Sequence, residues 1–442
     1  MTRVLFATVP ATGHVRPSLP IARELVEAGH EVVWYTGRGF EKIITSVGAR
    51  FVPVTADLKF DADVDALQST DDERRPGIAG LRKVVFDVFV DSIPAYVDDL
   101  RPLFDDFRPE VVVGDQTFMA APLLALQRDI PRVIFCLGPM SISSVDTAPF
   151  GTGLTPSDTP LRRLRNRALG WAIQNVIFGN SQRAAERIVA DMGVGPFRGM
   201  FTDWSSQFAT RFIQAGIPEF EYPRSDLPES VEFIGITRQT GLDDWTAPDW
   251  WDRVLAARAE GRPVVVVTQG SAATDHGLLV LPTIEALAER DVLVVATTVT
   301  RDPEEVLPRE QRPANLVLER FVPFAELLPL TDVLVTNGGY GGVQMSLSFG
   351  VPLVVAGTSE DKMESNARLA WTGAGLSLNT NRPKPAKVDA AVRRVLGDPS
   401  FRRRASELMG AYDKYGGTAR AAEIIIEAHR ERQSPSESAT VG

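Results

Sequence analysis

Short apolar runs alternate with amphipathic stretches along the whole of this 442-residue chain. The first run, residues 4–9, is rich in β-branched side chains and predicts a buried strand. Residues 19–28 carry apolar positions at helical spacing, with Ser18 as the predicted cap and Gly29 as the stop. A second strand is predicted at 31–35. Strand, helix and strand at this spacing predict a parallel, doubly wound sheet and hence the α/β class.

The same alternation returns in two series, separated by a tryptophan-containing linker at 237–261. The first series adds strands at 111–113 and 131–137 around a helix at 120–126, and the second series begins at Pro263. Further elements of the second series are strands at 264–268, 292–297, 316–319, 333–336 and 353–355, and helices at 278–288, 342–348, 388–412 and 418–430. Ligands of such sheets bind at the carboxyl ends of the strands, so a cleft between two facing halves is the predicted site.

We place the boundary between the two halves near residue 240. This division gives a first domain at 1–240, a second domain at 241–432 and a small, polar tail at 433–442 that is predicted to be disordered. The terminal helix is expected to pack back on the first domain.

Composition narrows the class of partner. With 44% hydrophobic and 24% charged residues, the chain is typical of a globular protein. The 47 basic and 57 acidic residues give a net charge of −10, which argues against nucleic acid as a main partner because phosphates need a basic face.

The single cysteine, Cys136, excludes a disulfide framework and a cysteine-rich zinc module. No apolar run approaches the ~18 residues of a membrane span, and no signal peptide is recognisable, so a cytoplasmic location is expected.

His14 and Asp115 are the first candidates for chemistry. His14 lies in the segment 11–17, directly after the first strand, and Asp115 follows the apolar run 111–113. Both are therefore predicted at the carboxyl edge of one sheet, where strand ends converge. A histidine that acts as a general base needs a carboxylate to orient it. The sequence equally allows a histidine packed under the next helix and an aspartate that caps a helix.

A glycine-rich segment follows the strand at 333–336 and opens a helix: Asn337-Gly338-Gly339-Tyr340-Gly341-Gly342. Free N–H groups at such a helix start, together with the helix dipole, favour a phosphate. The segment is neither a Walker loop nor the dinucleotide fingerprint, which disfavours a nicotinamide dehydrogenase. A glycine-rich turn without a ligand is the alternative. Gln269-Gly270-Ser271 is a second, weaker phosphate-facing loop.

The remaining polar motifs carry less information. Asp61-Ala62-Asp63 has the form of a metal-chelating Asp-x-Asp, but it lies in the acidic stretch 55–80, which has no period and predicts a mobile loop. Asp243-Asp244 is interpreted as a solvated pair in the linker. The other three histidines are expected to be surface or structural residues: His30, His276 and His429.

Taken together, these residues resemble family 1 glycosyltransferases of the GT-B fold, enzymes that use nucleotide sugars to modify natural products. The resemblance is carried by the segment 13–17, by Asp115 and, most strongly, by residues 321–368. In that stretch order and spacing agree through Phe321-Val322-Pro323, the glycine-rich loop, Gly350-Val351-Pro352, Asp361 and Asn366-Ala367. The resemblance implies two facing Rossmann-like domains, of which the first binds the acceptor and the second binds the donor.

The resemblance also implies an inverting transfer of a sugar from a UDP- or dTDP-linked donor to a hydroxyl of a small, largely apolar acceptor such as a natural product. His14 would be the general base, and Asp115 would hold its other ring nitrogen and stabilise the imidazolium. Neither a cofactor nor a metal ion is expected.

In the donor site that the resemblance implies, Phe321 would stack on the nucleobase and the Val322 backbone would read the edge of the base. Asp361 would hydrogen-bond the hydroxyls of the sugar. The other donor-binding positions lie in the glycine-rich segments and after Asp361: Ser271, Asn337, Gly338, Gly339, Gly341, Gly342 and Lys362.

Four positions depart from the family pattern. Asn337 stands in place of a histidine, Met345 in place of a glutamate that grips the ribose, Lys362 in place of a glutamine and Phe321 in place of a tryptophan. An amide carries no positive charge, and a thioether cannot accept two hydroxyl hydrogen bonds. Because the changes cluster in the donor site, our hypothesis is a relaxed or altered donor preference, such as one for a dTDP-linked deoxysugar whose nucleoside lacks the 2′-hydroxyl.

Two other functions stay open from the sequence. A sugar-nucleotide epimerase on the same fold would share the diphosphate loop but need no acceptor pocket. A non-catalytic helper with a degenerate donor site would account for Asn337 and Met345, although His14 and Asp115 are intact. The chain is expected to be a monomer or a homodimer, and no motif specifies the acceptor, the donor sugar or the linkage.

Overall fold

The computed structural model of the chain describes residues 1–62, 78–156, 159–237, 245–270, 275–299, 301–359 and 361–433. The strands in these ranges form two separate sheets, one of seven strands and one of six. We call the seven-stranded sheet with its helices the N-terminal lobe, and the six-stranded sheet with its helices the C-terminal lobe. The predicted fold class, two doubly wound parallel-sheet units, is confirmed.

Seven parallel strands build the sheet of the N-terminal lobe: β1 (Arg3–Ala7), β2 (Glu31–Thr36), β3 (Arg50–Pro53), β4 (Val111–Asp115), β5 (Arg132–Cys136), β6 (Arg211–Gln214) and β7 (Val231–Phe233). Their order is β3-β2-β1-β4-β5-β6-β7. Ala7 of β1 lies opposite Gly114 of β4, and Asp115 lies opposite Phe135 of β5. The central strands are buried on both faces, which explains why they are nearly continuous apolar runs.

Six parallel strands build the sheet of the C-terminal lobe: β8 (Val264–Thr268), β9 (Leu293–Thr297), β10 (Leu316–Glu319), β11 (Val333–Thr336), β12 (Leu353–Val355) and β13 (Gly375–Ser377). Their order is β10-β9-β8-β11-β12-β13. In register, Thr336 at the end of β11 lies opposite Thr268 of β8 and Val355 of β12. The loops that leave these three strands therefore begin side by side at one edge of the sheet.

Helices cover both faces of each sheet. A single π-helical turn, Ile173–Ile177, separates α7 from α8. The helices are α1 (Thr12–Val15), α2 (Leu19–Glu27), α3 (Glu41–Thr45), α4 (Ile78–Phe89), α5 (Ile93–Phe107), α6 (Ala120–Gln127), α7 (Pro160–Ala172), α8 (Gly179–Asp191), α9 (Trp204–Phe208), α10 (Trp251–Ala259), α11 (Val280–Leu287), α12 (Pro303–Val306), α13 (Phe324–Leu327), α14 (Tyr340–Ser348), α15 (Lys362–Thr372), α16 (Pro385–Gly397), α17 (Pro399–Tyr412) and α18 (Gly417–Gln433).

The last helix, α18, packs on the N-terminal lobe, whereas α16 and α17 before it pack on the C-terminal lobe. Ile424 and Ile425 of α18 are fully buried in the same core as Val4 and Phe6 of β1. Full burial of one such side chain contributes roughly 1.5–3 kcal/mol. The chain thus passes between the lobes a second time, after the linker that precedes α10.

The segment around His14 differs from its predicted form. Residues 11–17 were predicted as a loop, but Thr12–Val15 form α1, and a 3₁₀ turn, Arg16–Ser18, follows and leads directly into α2. Ser18 does not cap α2 with its side chain; its Oγ donates instead to the carbonyl oxygen of His14, at 3.3 Å. The cap prediction was wrong because the backbone before α2 is already helical.

The predicted mobile loop at 55–80 was partly wrong. Its last residues begin α4 at Ile78, and Leu58 and Phe60 at its start pack against the core of the N-terminal lobe. The middle of this stretch, including Asp63, lies outside the described residues, as do the predicted boundary near residue 240, the pair Asp243-Asp244, Ser271 and the tail beyond Gln433. None of the helices within the described ranges is long and apolar enough to cross a bilayer.

Candidate active site

His14 and Asp115 are in direct contact at the carboxyl edge of the N-terminal sheet. β1 and β4 are neighbours, so α1, which follows β1, brings the imidazole over the last residue of β4. The Nδ1 atom of His14 hydrogen-bonds Oδ2 of Asp115. Asp115 is buried, whereas 22% of the His14 side chain is exposed, so the imidazole lies between the carboxylate and the open side of the sheet edge.

Asp115 is held as an ionised acceptor. Its second oxygen, Oδ1, accepts hydrogen bonds from the backbone N–H and the hydroxyl of Thr117, both at 2.8 Å. Burial raises the pKa of the Asp115 carboxyl, but the charge and hydrogen bond of His14 and the two bonds from Thr117 outweigh it, so the net pKa lies below its usual range. An ionised carboxylate on Nδ1 selects the tautomer in which Nε2 accepts a proton.

The glycine-rich segment leaves β11 through a turn that only glycine permits. Gly338 has φ +87°, and a Cβ atom there would lie 1.8 Å from Oδ1 of Asn366. Asn366 is buried on α15 and donates to the carbonyl oxygen of Gly357 at 2.9 Å and to that of Asn337 at 3.5 Å. The Asn366 amide therefore fixes the loop after β11 against the loop after β12.

The first turn of α14 is open on the side of its glycines. A Cβ atom on Gly339, Gly341 or Gly342 would meet no heavy atom within 4 Å. The helix starts at Tyr340, so its first N–H groups have no partner within the helix, and its dipole adds partial positive charge at that end. The arrangement suits an anionic group with several oxygen acceptors, such as a diphosphate.

Asn337 joins the two glycine-containing loops of the C-terminal lobe. Its Nδ2 donates to the carbonyl oxygen of Gln269, and its Oδ1 accepts from the N–H of Gly339 at 3.4 Å. The amide thus sets the spacing between the loop after β8 and the loop after β11. Ser271, the predicted donor-binding residue of the former loop, lies outside the described residues.

Asp361 and Lys362 lie at the start of α15 in different surroundings. The Asp361 carboxylate approaches the N-terminal lobe, since a Cβ atom on Gly138, after β5, would lie 3.5 Å from Oδ2. Lys362 is buried, its stem passes close to Gly357, and its Nζ donates to the hydroxyl of Ser359 at 3.4 Å. Of these two predicted donor-binding residues, Asp361 is the one whose side chain lies where the lobes meet.

Phe321 and Val322 border a cavity of about 380 Å³ at the edge of the C-terminal lobe. Phe321 follows β10 and is 64% exposed, whereas Val322 is buried. The opposite wall comes from the linker and includes Trp245 and Trp250, whose rings pack on Trp251 with centroids 5.0 and 5.5 Å away. No role was predicted for these tryptophans, although three of them within seven residues of a polar linker indicate an aromatic surface.

Met345, the predicted departure from a ribose-binding glutamate, lies on α14 and is half-buried against the core of the C-terminal lobe. The other candidates make structural contacts. Nε2 of the buried His276 contacts the carbonyl oxygen of Thr298 at 2.8 Å, and Nδ1 of His30 accepts from the Thr2 N–H at 3.1 Å. Asp61 belongs to no group of three metal-ligating side chains among the described residues.

Two doubly wound parallel sheets whose carboxyl edges meet across a cleft define the GT-B class. Residues 282–415 match the family model described as the C-terminal domain of erythromycin biosynthesis protein CIII-like proteins. The chain is 39% identical to the 4′-demethylrebeccamycin synthase of Lentzea aerocolonigenes over 96% of this chain and 98% of that protein. It is 33% identical to UDP-glycosyltransferase 2 of Phaeomoniella chlamydospora, over 93% and 92%.

Among solved structures, the glycosyltransferase VinC in complex with dTDP superposes with a TM-score of 0.70 over 97% of this chain and 100% of that chain, at 21% identity, a likeness of fold. The two sequence relatives are similar over nearly their whole length. The chain therefore belongs to the family 1 glycosyltransferases of the GT-B fold, and it is an enzyme of that family.

Proposed function

We propose that this glycosyltransferase transfers a sugar, with inversion, from a nucleoside diphosphate to a hydroxyl group of a small, largely apolar acceptor. The observation that carries the proposal is the hydrogen bond between His14 Nδ1 and the buried carboxylate of Asp115 at the edge of the N-terminal sheet. The same edge, at Gly138, meets Asp361 of the C-terminal lobe. The proposed general base and the proposed donor-binding edge thus border one cleft.

In the proposed reaction, Nε2 of His14 takes the proton from the acceptor hydroxyl. The acceptor oxygen forms a bond to the anomeric carbon while the bond from that carbon to the phosphate oxygen breaks. The nucleoside diphosphate leaves with the electron pair of the broken bond. Asp115 stabilises the imidazolium without taking up the proton, because its pKa is lowered. Attack on the face opposite the leaving group inverts the configuration.

The diphosphate is proposed to bind at the first turn of α14. The N–H groups near Gly341 and Gly342 are the donors available there, and the helix dipole favours the charge that grows on the leaving group. These fixed dipoles perform the task that a divalent cation has in other transferases. We therefore propose a reaction without a metal, which is tested by turnover that persists in excess EDTA.

The nucleobase is proposed to stack on Phe321, and the partly buried thioether of Met345 favours a nucleoside without a 2′-hydroxyl. Support for dTDP comes from VinC, whose structure contains dTDP, whereas the relative from Phaeomoniella chlamydospora is named for UDP. Isothermal titration with the two diphosphates decides between them. Clearly tighter binding of UDP than of dTDP would contradict the dTDP preference.

A small, apolar acceptor is supported by exposed side chains on the loop after β5. Val145, Phe150 and Leu154 are 36–47% exposed, and Gly151 and Gly153 between them donate to Glu364 of the C-terminal lobe. The loop therefore presents apolar surface beside the meeting point of the lobes. The 39% identical relative carries the name of a natural-product synthase, which agrees with such an acceptor.

The decisive experiment is a screen of UDP- and dTDP-sugars against phenolic and macrolide acceptors, with product detected by mass shift. We expect a glycoside with the wild type, a loss of about 10²–10⁴-fold in turnover with His14→Ala, and wild-type turnover with His429→Ala as the matched control. Full turnover by His14→Ala would refute the base assignment. An epimerised sugar nucleotide without an acceptor would favour the epimerase, and no turnover with any donor would favour the helper.

A further inference from the structure

A buried group of charged residues joins the two lobes beside the cleft, and the chemistry above does not use it. Glu221, from the segment after β6, and Arg368, on α15, are 2% and 1% exposed. Nε of Arg368 donates to Oε2 of Glu221 at 2.7 Å, across 147 positions of the sequence. We call Glu221, Arg368, Glu364 and Tyr340 the interlobe cluster.

Each member of the cluster contacts the loop after β5 or a side chain that does. Arg368 donates to the carbonyl oxygen of Met140 at 3.1 Å, and Glu221 accepts from the Met140 N–H at 3.1 Å. Glu364 accepts from Arg368 at 2.8 Å with one oxygen, and with the other from the N–H groups of Gly151 and Gly153, both at 2.8 Å. Backbone groups of the N-terminal lobe are thus held by side chains of α15.

Tyr340 extends the cluster to α14. Its hydroxyl donates to Oε1 of Glu221 at 3.2 Å and accepts from Nε2 of Gln214, which also donates to the carbonyl oxygen of Gly138 at 2.9 Å. A Cβ atom on Gly216 would lie 2.4 Å from this hydroxyl, so the N-terminal lobe admits Tyr340 only because glycine is there. Tyr340 is the first residue of the helix whose N-terminus faces the proposed diphosphate site.

The desolvation of its charged groups limits how much the cluster can add to the free energy of unfolding. Two carboxylates and two guanidinium groups are taken out of water, since Arg224 also lies 3.8 Å from Glu221 with 4% of its side chain exposed. Such buried pairs often gain no more stability than apolar side chains of equal volume, but they tolerate little change in geometry. The Tyr222 ring, 4.4 Å below the Arg368 guanidinium, restricts that geometry further.

We propose that Glu221 and Arg368 are positioning residues that fix the register between α14 and α15, which border the proposed donor site, and the edge of the sheet that carries His14. The proposal rests on the transferase reaction proposed above. When the register is lost, water replaces the acceptor oxygen at the anomeric carbon: the carbon–phosphate-oxygen bond breaks, a carbon–water-oxygen bond forms, and free sugar, nucleoside diphosphate and one proton result. The cluster therefore favours transfer over hydrolysis of the donor.

The test compares Glu221→Gln with Asp389→Asn, which makes the same change in an ion pair with Arg290 that lies wholly within the C-terminal lobe. For Glu221→Gln we expect about tenfold lower kcat, nucleoside diphosphate affinity within about twofold of wild type, and an at least threefold higher ratio of nucleoside diphosphate released to glycoside formed. Asp389→Asn should leave this ratio unchanged. Tyr340→Phe, which removes only a hydroxyl, should raise the ratio less, and it serves as the readout if Glu221→Gln does not fold.

A readout without turnover separates the two proposals. Amide hydrogen exchange at Met140, Gly151 and Gly153 should become faster in Glu221→Gln and in Arg368→Lys, but not in Asp389→Asn. If the wild type transfers no sugar, the proposed function fails. The amide exchange rates still show whether the two residues hold the lobes in register. Unchanged exchange, or equal losses of turnover and nucleotide affinity at a constant product ratio, would overturn the positioning role.

Discussion

Gly338 lies so close to Asn366 that a single added methyl group would come within 1.8 Å of the side-chain oxygen Oδ1. The contact joins the loop after β11 to α15, and the positive φ of +87° at Gly338 already disfavours any side chain there. The shape of the proposed diphosphate loop thus depends on one glycine and one buried amide.

Because of this contact, alanine substitutions at two glycines of the same segment should have different effects. Gly338→Ala should weaken nucleoside diphosphate binding at least tenfold and lower the melting temperature, because both the backbone and Asn366 must move. Gly341→Ala has open space around the new methyl group and lies in a helix, where alanine is favoured over glycine by roughly 0.5–1 kcal/mol. Thermal unfolding of both variants checks the contrast in stability, which equal losses of melting temperature would contradict, and calorimetric titration measures the loss of nucleotide binding by Gly338→Ala.

Asp115→Asn should reduce turnover by an amount similar to His14→Ala, about 10²–10⁴-fold, because the amide no longer selects the Nδ1–H tautomer. The double variant should be little worse than either single one, since the two residues act as a unit. Single-turnover rates measure both effects. Losses that simply multiply would show that the two side chains act independently.

The same aspartate should contribute to acid stability. Its pKa is lowered in the folded chain, so its contribution is present above the usual carboxyl pKa near ~4 and is lost as the pH falls through the lower folded value. Urea unfolding of wild type between pH 6 and pH 3 should therefore show a steeper loss of unfolding free energy than that of Asp115→Asn. Parallel curves for the two proteins would contradict this sign.

If the aromatic cavity binds the nucleobase, changes in its side chains should weaken binding of dTDP but not of inorganic diphosphate. Removal of one stacking ring, in Phe321→Ala or Trp250→Ala, should weaken dTDP binding by about 1–3 kcal/mol, while inorganic diphosphate should bind as it does to wild type. Phe321→Trp should retain or increase the affinity. If Trp250→Ala binds dTDP as tightly as wild type, the linker tryptophans form no wall of the base site.

Met345→Glu tests the proposed nucleotide preference. A carboxylate at this position can accept hydrogen bonds from both ribose hydroxyls, so the ratio of UDP to dTDP affinity should rise at least fivefold. The variant also places a charge near the core of the C-terminal lobe, so Met345→Gln is the matched polar control. An unchanged ratio would show that Met345 does not determine the preference between UDP and dTDP.

The second sheet was the easiest part to predict. β8, β10, β11 and β12 have the predicted bounds, because strands buried on both faces are uninterrupted apolar runs. β3, β7 and β13 were missed, since they are short and lie at the edges of their sheets, and β6, an interior strand of four residues, was missed as well. Edge strands carry no such pattern, and only their pairing in the fold identifies them.

The site was predictable where its residues follow strands directly. His14 and Asp115 were placed at the carboxyl ends of two strands of one sheet, and the structure brings them into contact. The pair Glu221 and Arg368 had no local signal, because an isolated glutamate and an isolated helical arginine are usually surface residues. Contacts made across a lobe boundary are set by how two finished folds meet, which no short stretch of sequence encodes.

The docking of α18 on the opposite lobe bears on how such enzymes can be recombined. A hybrid that joins the first part of this chain to the second part of a relative at the linker would also replace Ile424 and Ile425, and with them part of the core beneath β1. A second crossover before Gly417, which restores this chain's own terminal helix, should give hybrids that accumulate as folded protein. Exchange of the C-terminal lobe in this enzyme therefore needs two junctions, one at the linker before α10 and one before α18.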